Sequence, residues 1–439
     1  MDDDRKKRSG SKREISDRTD DEIRMKRRQE AKRRREAQVR RSKRILAGCV
    51  AGAVLAVVAI AAAVHTAGTS KTAASERRLA PGNSTEAVAT AGSDTAASGS
   101  GVTAGSEVVV ANSEAVASDS SAKITPTDLK MSFVGDVTLG KDENFDYSTS
   151  MNAYYDQNGP DYFLKNVKDI FSDDDLTVIN LEGTLTSETV RADKTYAFKA
   201  PPEYAGIIRD ASIEAADVAN NHSHDYGDKS YTDTLSTLKE NNITSFGYDD
   251  TALLDIKGVK VGLFGIYELE KLDGVAPQIT SDISKLKDAG ADVIVAVFHW
   301  GIERNSCPDQ YQVELAHQAI DEGADLVIGH HPHVLQGIEY YKDKAVAYSL
   351  GNFCFGGNPN PQDKDTMIFQ MTFSFDENAD ITGSTINIIP CRVSSTPDYN
   401  DYVPTPLTGN DAQSVIDKLD ERSREIASTY QTDTVYHSA

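Results

Sequence analysis

The segment GHHPHVLQG, residues 329–337, packs His330, His331 and His333 into four positions directly after the apolar run Asp325-Leu-Val-Ile328. Three of the chain's nine histidines thus stand where a buried strand would deliver them to a sheet edge. Imidazoles at i and i+2 of an extended stretch project to one side, and Pro332 stiffens the link between them. That arrangement suits metal ligation, and burying three imidazoles without a metal or partners would be costly.

Other apolar runs end in groups of similar chemistry. SFVG ends in Asp136, TVIN in Asn180 and Glu182, DVAN in Asn221 and His222, VAVF in His299, and AVAYSLG in Asn352. Taken singly, each has a plain structural explanation. Asp136 could cap a turn, Asn221, His222 and Asp225 in NNHSHDYG could make turn hydrogen bonds, and a lone buried His299 could be a satisfied core residue. Ligand sites of α/β sheets, however, gather outside the carboxyl ends of strands, where residues this far apart in sequence converge. Carboxylate, amide and imidazole donors without thiolate suit a divalent ion, Mn, Fe or Zn, as one ion or two bridged by a carboxylate. Hydrolysis of a phosphoester is the reaction such a site does best, with His222 as general acid or as donor to a phosphoryl oxygen. His317, on QVELAHQAI, has no such company and is left out of the set.

The elements that must position these residues follow from hydrophobic periodicity. Met131–Val134, Leu176–Ile179, Val259–Ile266, Val293–Phe298 and Leu326–Ile328 are short, nearly continuous apolar runs, as in strands buried on both faces. Amphipathic stretches between them, notably Asp228 to Asn241 and Asp309 to Glu322, predict helices. After Asn352 the pattern alternates, over Thr366–Phe375 and Ser384–Pro390, as in antiparallel strands, and Asp411 to Tyr430 predicts a surface helix. The fold class is therefore α/β, within a domain spanning residues 125–439.

The N-terminal part is of another kind. Residues 1–44 hold 19 Lys and Arg against 10 Asp and Glu, a net of +9, so the remainder carries −31 of the total −22. Residues 45–64 are twenty uncharged residues, which as a helix would span roughly 30 Å, the thickness of a bilayer core. The basic residues before this span place the N-terminus in the cytoplasm and all that follows outside, in a single-pass signal-anchor topology at the cell membrane. A cleaved signal peptide fits less well, because its charged region would be unusually long. The basic run reads as a topology signal facing anionic lipid, and no nucleic-acid partner is expected. Residues 65–124, rich in Ala, Ser, Thr and Gly, cannot offset their ordering entropy by burial and predict a disordered, flexible stalk. Cys307, Cys354 and Cys391 follow the span with no metal-like spacing, and their odd number forbids complete pairing within the chain.

The succession FVGDVTLG (133–140), INLEGTLT (179–186), FKAPPE (198–203), ANNHSHDYG (219–227), FHWGIE (298–303), GHHPHVLQG and YSLGNFCF (348–355) resembles the CapA family of bacterial capsule-synthesis proteins. That family is linked to poly-γ-glutamate production and has a calcineurin-like metallophosphoesterase fold. The resemblance runs from about residue 129 to 375 and implies a four-layer αββα sandwich with metals at the strand ends. Carried over position by position, it implies metal ligands Asp136, Glu182, Asn221, His299, His331 and His333, with His222 as the catalytic histidine. Asn180, Asp225, Trp300, Glu303, His330 and Asn352 are expected to support the ligands or contact substrate. Where calcineurin-type enzymes carry D-x-H, this chain has Asp136-Val137-Thr138, which offers no second ligand of that kind.

Two functions follow as alternatives. One is a surface-anchored metal-dependent hydrolase acting in capsule or envelope assembly. The other is a non-catalytic accessory that holds the anionic polymer or supports a membrane synthetase. No GxxxxGK[ST] loop is present, so the chain is not itself a P-loop ligase. The strongly acidic remainder would repel poly-γ-glutamate at long range, so contact would need a basic patch, for which Arg191, Lys194 and Lys199 are the candidates.

Overall fold

A computed structural model describes residues 108–111, 123–269 and 272–432. The expected span at 45–64 and the basic segment before it lie outside these residues. Among the described residues no helix is long and apolar enough to cross a membrane.

In chain order the first strands are β1 (Val108–Ala111), β2 (Thr127–Val134), β3 (Asp136–Thr138), β4 (Leu176–Asn180), β5 (Thr184–Leu185), β6 (Lys199–Ala200), β7 (Ala215–Asp217), β8 (Thr244–Phe246) and β9 (Thr251–Ile256). There follow β10 (Val259–Tyr267), β11 (Val293–His299), β12 (Leu326–His330), β13 (Ile338–Tyr341), β14 (Lys344–Ala347), β15 (Asn352–Phe355), β16 (Asp365–Phe375), β17 (Ile381–Arg392) and β18 (Thr405–Pro406). Two seven-stranded sheets form, in the orders β1-β9-β10-β11-β12-β14-β13 and β18-β17-β16-β2-β4-β7-β8. The runs read as doubly buried strands pair in parallel, β10 with β11, β11 with β12 and β2 with β4. The alternating C-terminal runs pair antiparallel, β16 with both β2 and β17.

Strand parity sets the layers. On β11, Val293, Val295 and Val297 join Met131, Phe133, Val178 and Leu263 in a core between the sheets, while Ile294, Ala296 and Phe298 face the other way. That outer face is covered by helices Leu272–Asp288 and Gln310–Glu322 through Ile279, Ile283, Val313 and Ala316. The outer face of the second sheet, through Val134, Ile179 and Ala216, packs against Phe163, Phe171, Ile208 and Leu238.

The helix expected from Asp309 begins one residue later, because Asp309 is its N-cap and exchanges hydrogen bonds with Gln312 in a capping box. One stretch of the expected coil is a strand instead. Val108–Ala111, within the segment assigned to the stalk, pairs in parallel with β9. A run of valines next to an open sheet edge gains the backbone hydrogen bonds that a coil would leave to water.

Away from the site, Glu214 precedes β7 and its Oε2 accepts from the Thr177 amide at 2.8 Å. Burial, opposed by that hydrogen bond and reinforced by Asp174, pushes its carboxyl up from 4.5 to about 7. The folded state therefore keeps a proton that the unfolded chain releases, and stability falls as pH rises from about 4.5 through 7. Glu214→Gln keeps the acceptor without the charge. It is expected to raise the Tm on the order of 2 °C at pH 8.5 and to leave it unchanged at pH 4.5, as read by thermal denaturation. An equal shift at both pH values would contradict this assignment.

Candidate metal centre

The parity that builds the inter-sheet core also builds the site, because the inner positions turn polar where the strands end. On β4, Leu176 and Val178 face inward, and Asn180 and then Glu182 continue that series beyond the last apolar residue. On β11 the inward series Val293, Val295, Val297 ends in His299, and on β12 Leu326 and Ile328 lead to His330. Asp136 opens β3 just past β2. Its register partner is Asn352 of β15, and its amide donates to the Gly351 carbonyl at 2.9 Å. Gly135 permits this approach, since a Cβ there would lie 2.4 Å from the Gly351 oxygen.

Two triads emerge, Glu182 with His299 and His331, and Asp136 with Glu182 and His333; within each, one candidate ligand atom per residue lies within 4.8 Å of the others. Glu182 belongs to both. Its Oε1 lies 3.8 Å from His299 Nε2, 3.7 Å from His333 Nε2 and 3.8 Å from His222 Nε2. That oxygen is buried and accepts no hydrogen bond, whereas Oε2 accepts from Thr138 Oγ1 at 3.4 Å. A buried carboxylate oxygen aimed at three imidazole nitrogens without a donor is what a divalent ion would satisfy, and the donor set fits Mn, Fe or Zn.

The electrostatics follow from this crowding. Burial pushes Glu182 up to about 8, with Asp136 and Glu303 adding to the effect against His333. Asp136 is just as buried, yet His330 and His333, whose Nδ1 atoms each lie 3.2 Å from one of its carboxylate oxygens, hold it well below the usual carboxylate range. Burial opposes charge on His333, but Glu182, Asp136 and Glu303 outweigh it and raise the ring to about 10. His299 is driven well below its ordinary value by burial and by His331.

The expected ligands thus meet, with differences in how they are held. Asn221 Oδ1 lies 2.8 Å from His299 Nε2, on the site side of that ring. Asn180 supports Asp136 through Nδ2 at 2.8 Å, and Asn352 Oδ1 lies 2.9 Å from His333 Nδ1. His330 is a neighbour rather than a member of either triad, its Nδ1 3.2 Å from Asp136 Oδ1. His331 and His333 do not lie on an extended stretch. β12 ends at His330, and both residues turn through left-handed backbone, φ 91° and 56°. Strained backbone, not strand alternation, brings the two rings to 5.6 Å.

His222 is 6% exposed, with Nδ1 2.6 Å from Asp225 Oδ2 and the Phe198 ring 4.6 Å away. Burial, opposed by Asp225, lowers its proton affinity. Glu303 is exposed, and it acts on the site through its charge. Trp300 does not join the site. It takes the outward parity after Phe298, stacks between Phe298 and Tyr348, and donates Nε1 to the Tyr348 carbonyl at 2.9 Å. The three cations proposed for a basic patch are also occupied. Arg191 pairs with Asp142, Lys194 with Asp225, and Lys199 donates to the Glu188 carbonyl above the Tyr226 ring.

Residues 130–357, more than half of the chain, match the family described as bacterial capsule synthesis protein PGA_cap. The chain belongs to this family. Over 253 residues it is 30% identical to the capsule biosynthesis protein CapA of Bacillus anthracis, covering 52% of this chain and 60% of that one. Over 248 residues it is 30% identical to the PGA biosynthesis protein CapA of Bacillus subtilis (strain 168), covering 52% and 63%. A probable polyglutamine synthesis accessory protein of Mycobacterium tuberculosis is 26% identical over 213 residues, 40% of this chain and 55% of that one. The chain therefore spans about 60% of the length of the first two relatives.

All the site residues of this PGA_cap member lie inside the matched region. One that the motifs alone did not single out is Asn220, buried beside Asn221, whose Nδ2 donates to Asn180 Oδ1 at 3.0 Å and to the Leu181 carbonyl at 2.9 Å. Its adjacency to Asn221 in ANNH was the available signal.

Full-length protein purified without chelators is expected to carry near-stoichiometric Mn, Fe or Zn by elemental analysis. His331→Ala combined with His333→Ala should remove most of it, and Glu182→Gln, which touches both triads, should remove at least as much. Metal-free wild-type protein would contradict the assignment.

Proposed function

We propose that this protein is a single-pass membrane protein with an extracytoplasmic, metallophosphoesterase-type αββα domain. In this reading the domain binds one or two divalent ions and hydrolyses a phosphoester, or an amide-linked polymer, during synthesis or export of capsule or poly-γ-glutamate. The observation that carries the hydrolase reading is the Glu182 carboxylate shared by two triads beside a carboxylate-oriented histidine. Support for the setting is the family, the relatives' printed roles in capsule and PGA biosynthesis, and the basic run followed by twenty uncharged residues.

Within the reading, Glu182, His299 and His331, with Asn221, would hold one ion, and Asp136, Glu182 and His333 the other. When bound, such an ion supplies Lewis-acid polarisation of a phosphoryl oxygen. The chain's own work is orientation and proton handling. Asp225 engages Nδ1 of His222, which leaves Nε2 facing the Glu182 side of the site, where it can hold or deliver a proton at a leaving oxygen. Phe198 covers the ring and limits its contact with water.

The second reading, a non-catalytic accessory that binds the anionic polymer or supports a membrane synthetase, is favoured by one observation. At Thr138, where D-x-H would place an imidazole, a hydroxyl bonds to Glu182 instead, so one triad has a ligand fewer. His222→Ala separates the two in cells. The hydrolase reading predicts that polymer output falls at least tenfold with metal content unchanged. Normal output from His222→Ala, with output abolished by His331→Ala, would select the accessory reading. Co-purification from native membranes tests the synthetase partner.

A further inference from the structure

Residues 191–198 form a strap fastened at two points beside the site. At one, Asp142, from the loop after β3, accepts from Arg191 Nη2 at 2.7 Å and from the Ala197 amide at 2.7 Å. At the other, Asp225 does the same for the next positions. Its Oδ1 accepts from Lys194 Nζ at 2.7 Å and its Oδ2 from the Phe198 amide at 2.5 Å, and its backbone carbonyl accepts from the Ala192 amide at 2.8 Å. Both carboxylates are 1% exposed on their side chains, so each depends on the strap for counter-charge.

Lys194 does more than neutralise Asp225. Its Nζ also donates to the Asn221 carbonyl at 2.6 Å and lies 3.4 Å from His222 Nδ1. One ammonium group thus touches the backbone of a candidate ligand, the ring of the candidate catalytic histidine and the carboxylate that orients that ring. A cationic donor at this position serves two acceptors at once, the Asn221 carbonyl and the Asp225 carboxylate, beside a His222 ring whose Nδ1 Asp225 already engages. At the strap's far end the Phe198 ring packs against His222 at a tilt of 44°, so the histidine is held by Asp225 at Nδ1 and by a strap side chain beside its ring.

We infer that Lys194 is a positioning residue: it fixes the Asn221–Asp225 loop against the 191–198 strap and so sets the orientation of His222 toward Glu182. The inference deepens the proposed role of His222 and rests on that reading for its catalytic consequence, but not for the geometry itself.

Hydrogen–deuterium exchange on the full-length protein tests it. Lys194→Met should speed exchange about tenfold in peptides covering 191–198 and 219–227, without change elsewhere, and Lys194→Arg should restore protection in both. Unchanged exchange in Lys194→Met, a chain-wide rise, or failure of the arginine variant to restore protection would each overturn it. With an aryl phosphate ester as probe, Lys194→Met should lower kcat about tenfold with KM within about twofold and metal content at the wild-type level. Loss of metal in place of a kcat effect would also overturn it. If the wild-type protein does not turn over the probe, the hydrolase reading fails, while exchange still decides the role of Lys194.

Discussion

One buried carboxylate governs the site. Glu182 is fully enclosed, and one of its oxygens faces three imidazole nitrogens without a hydrogen bond. Removing a carboxylate from water is costly unless it is paired or coordinated, so the surrounding fold must over-determine this position. It does so from both sides of the inter-sheet core. Glu182 comes from the end of β4 in one sheet, and His299 and His331 come from the ends of β11 and β12 in the other. Neither sheet alone assembles the group.

The consequences spread outward through the neighbours. Burial raises Glu182 to about 8, with Asp136 adding to it against His333, while His330 and His333 hold the equally buried Asp136 far down. Left-handed backbone at His331 and His333 is part of the same arrangement, because those rings reach the carboxylates only by departing from the strand. Around the group, Asn180 bonds to Asp136, Asn220 to Asn180 and Asn352 to His333 through their side chains, while Glu182 Oε1 keeps no hydrogen-bond partner.

Much of this was readable in the chain. Apolar runs ending in polar donors located β2, β4, β11 and β12, and the residues expected as metal ligands do converge. Period-2 alternation carries a further answer. Continuing the inward series of β11 gives His299, and the outward series gives Trp300, which places Trp300 in the outer core. The turn at His331 and His333 was not readable, because a left-handed conformation for histidine depends on tertiary support rather than on local preference. Arg191, Lys194 and Lys199 looked like a basic patch because their partners, Asp142 and Asp225 among them, are distant in sequence or are backbone carbonyls. The strand at Val108–Ala111 was hidden by the composition around it.

The central claim is that Glu182 is shared between metal positions. Anomalous diffraction from crystals of the full-length protein grown with Mn²⁺ tests it most directly. The account predicts an anomalous peak within coordination distance of Glu182 Oε1, flanked by His299 and His331 or by Asp136 and His333. Manganese bound elsewhere, with Glu182 Oε1 hydrogen-bonded to a protein donor in its place, would contradict it.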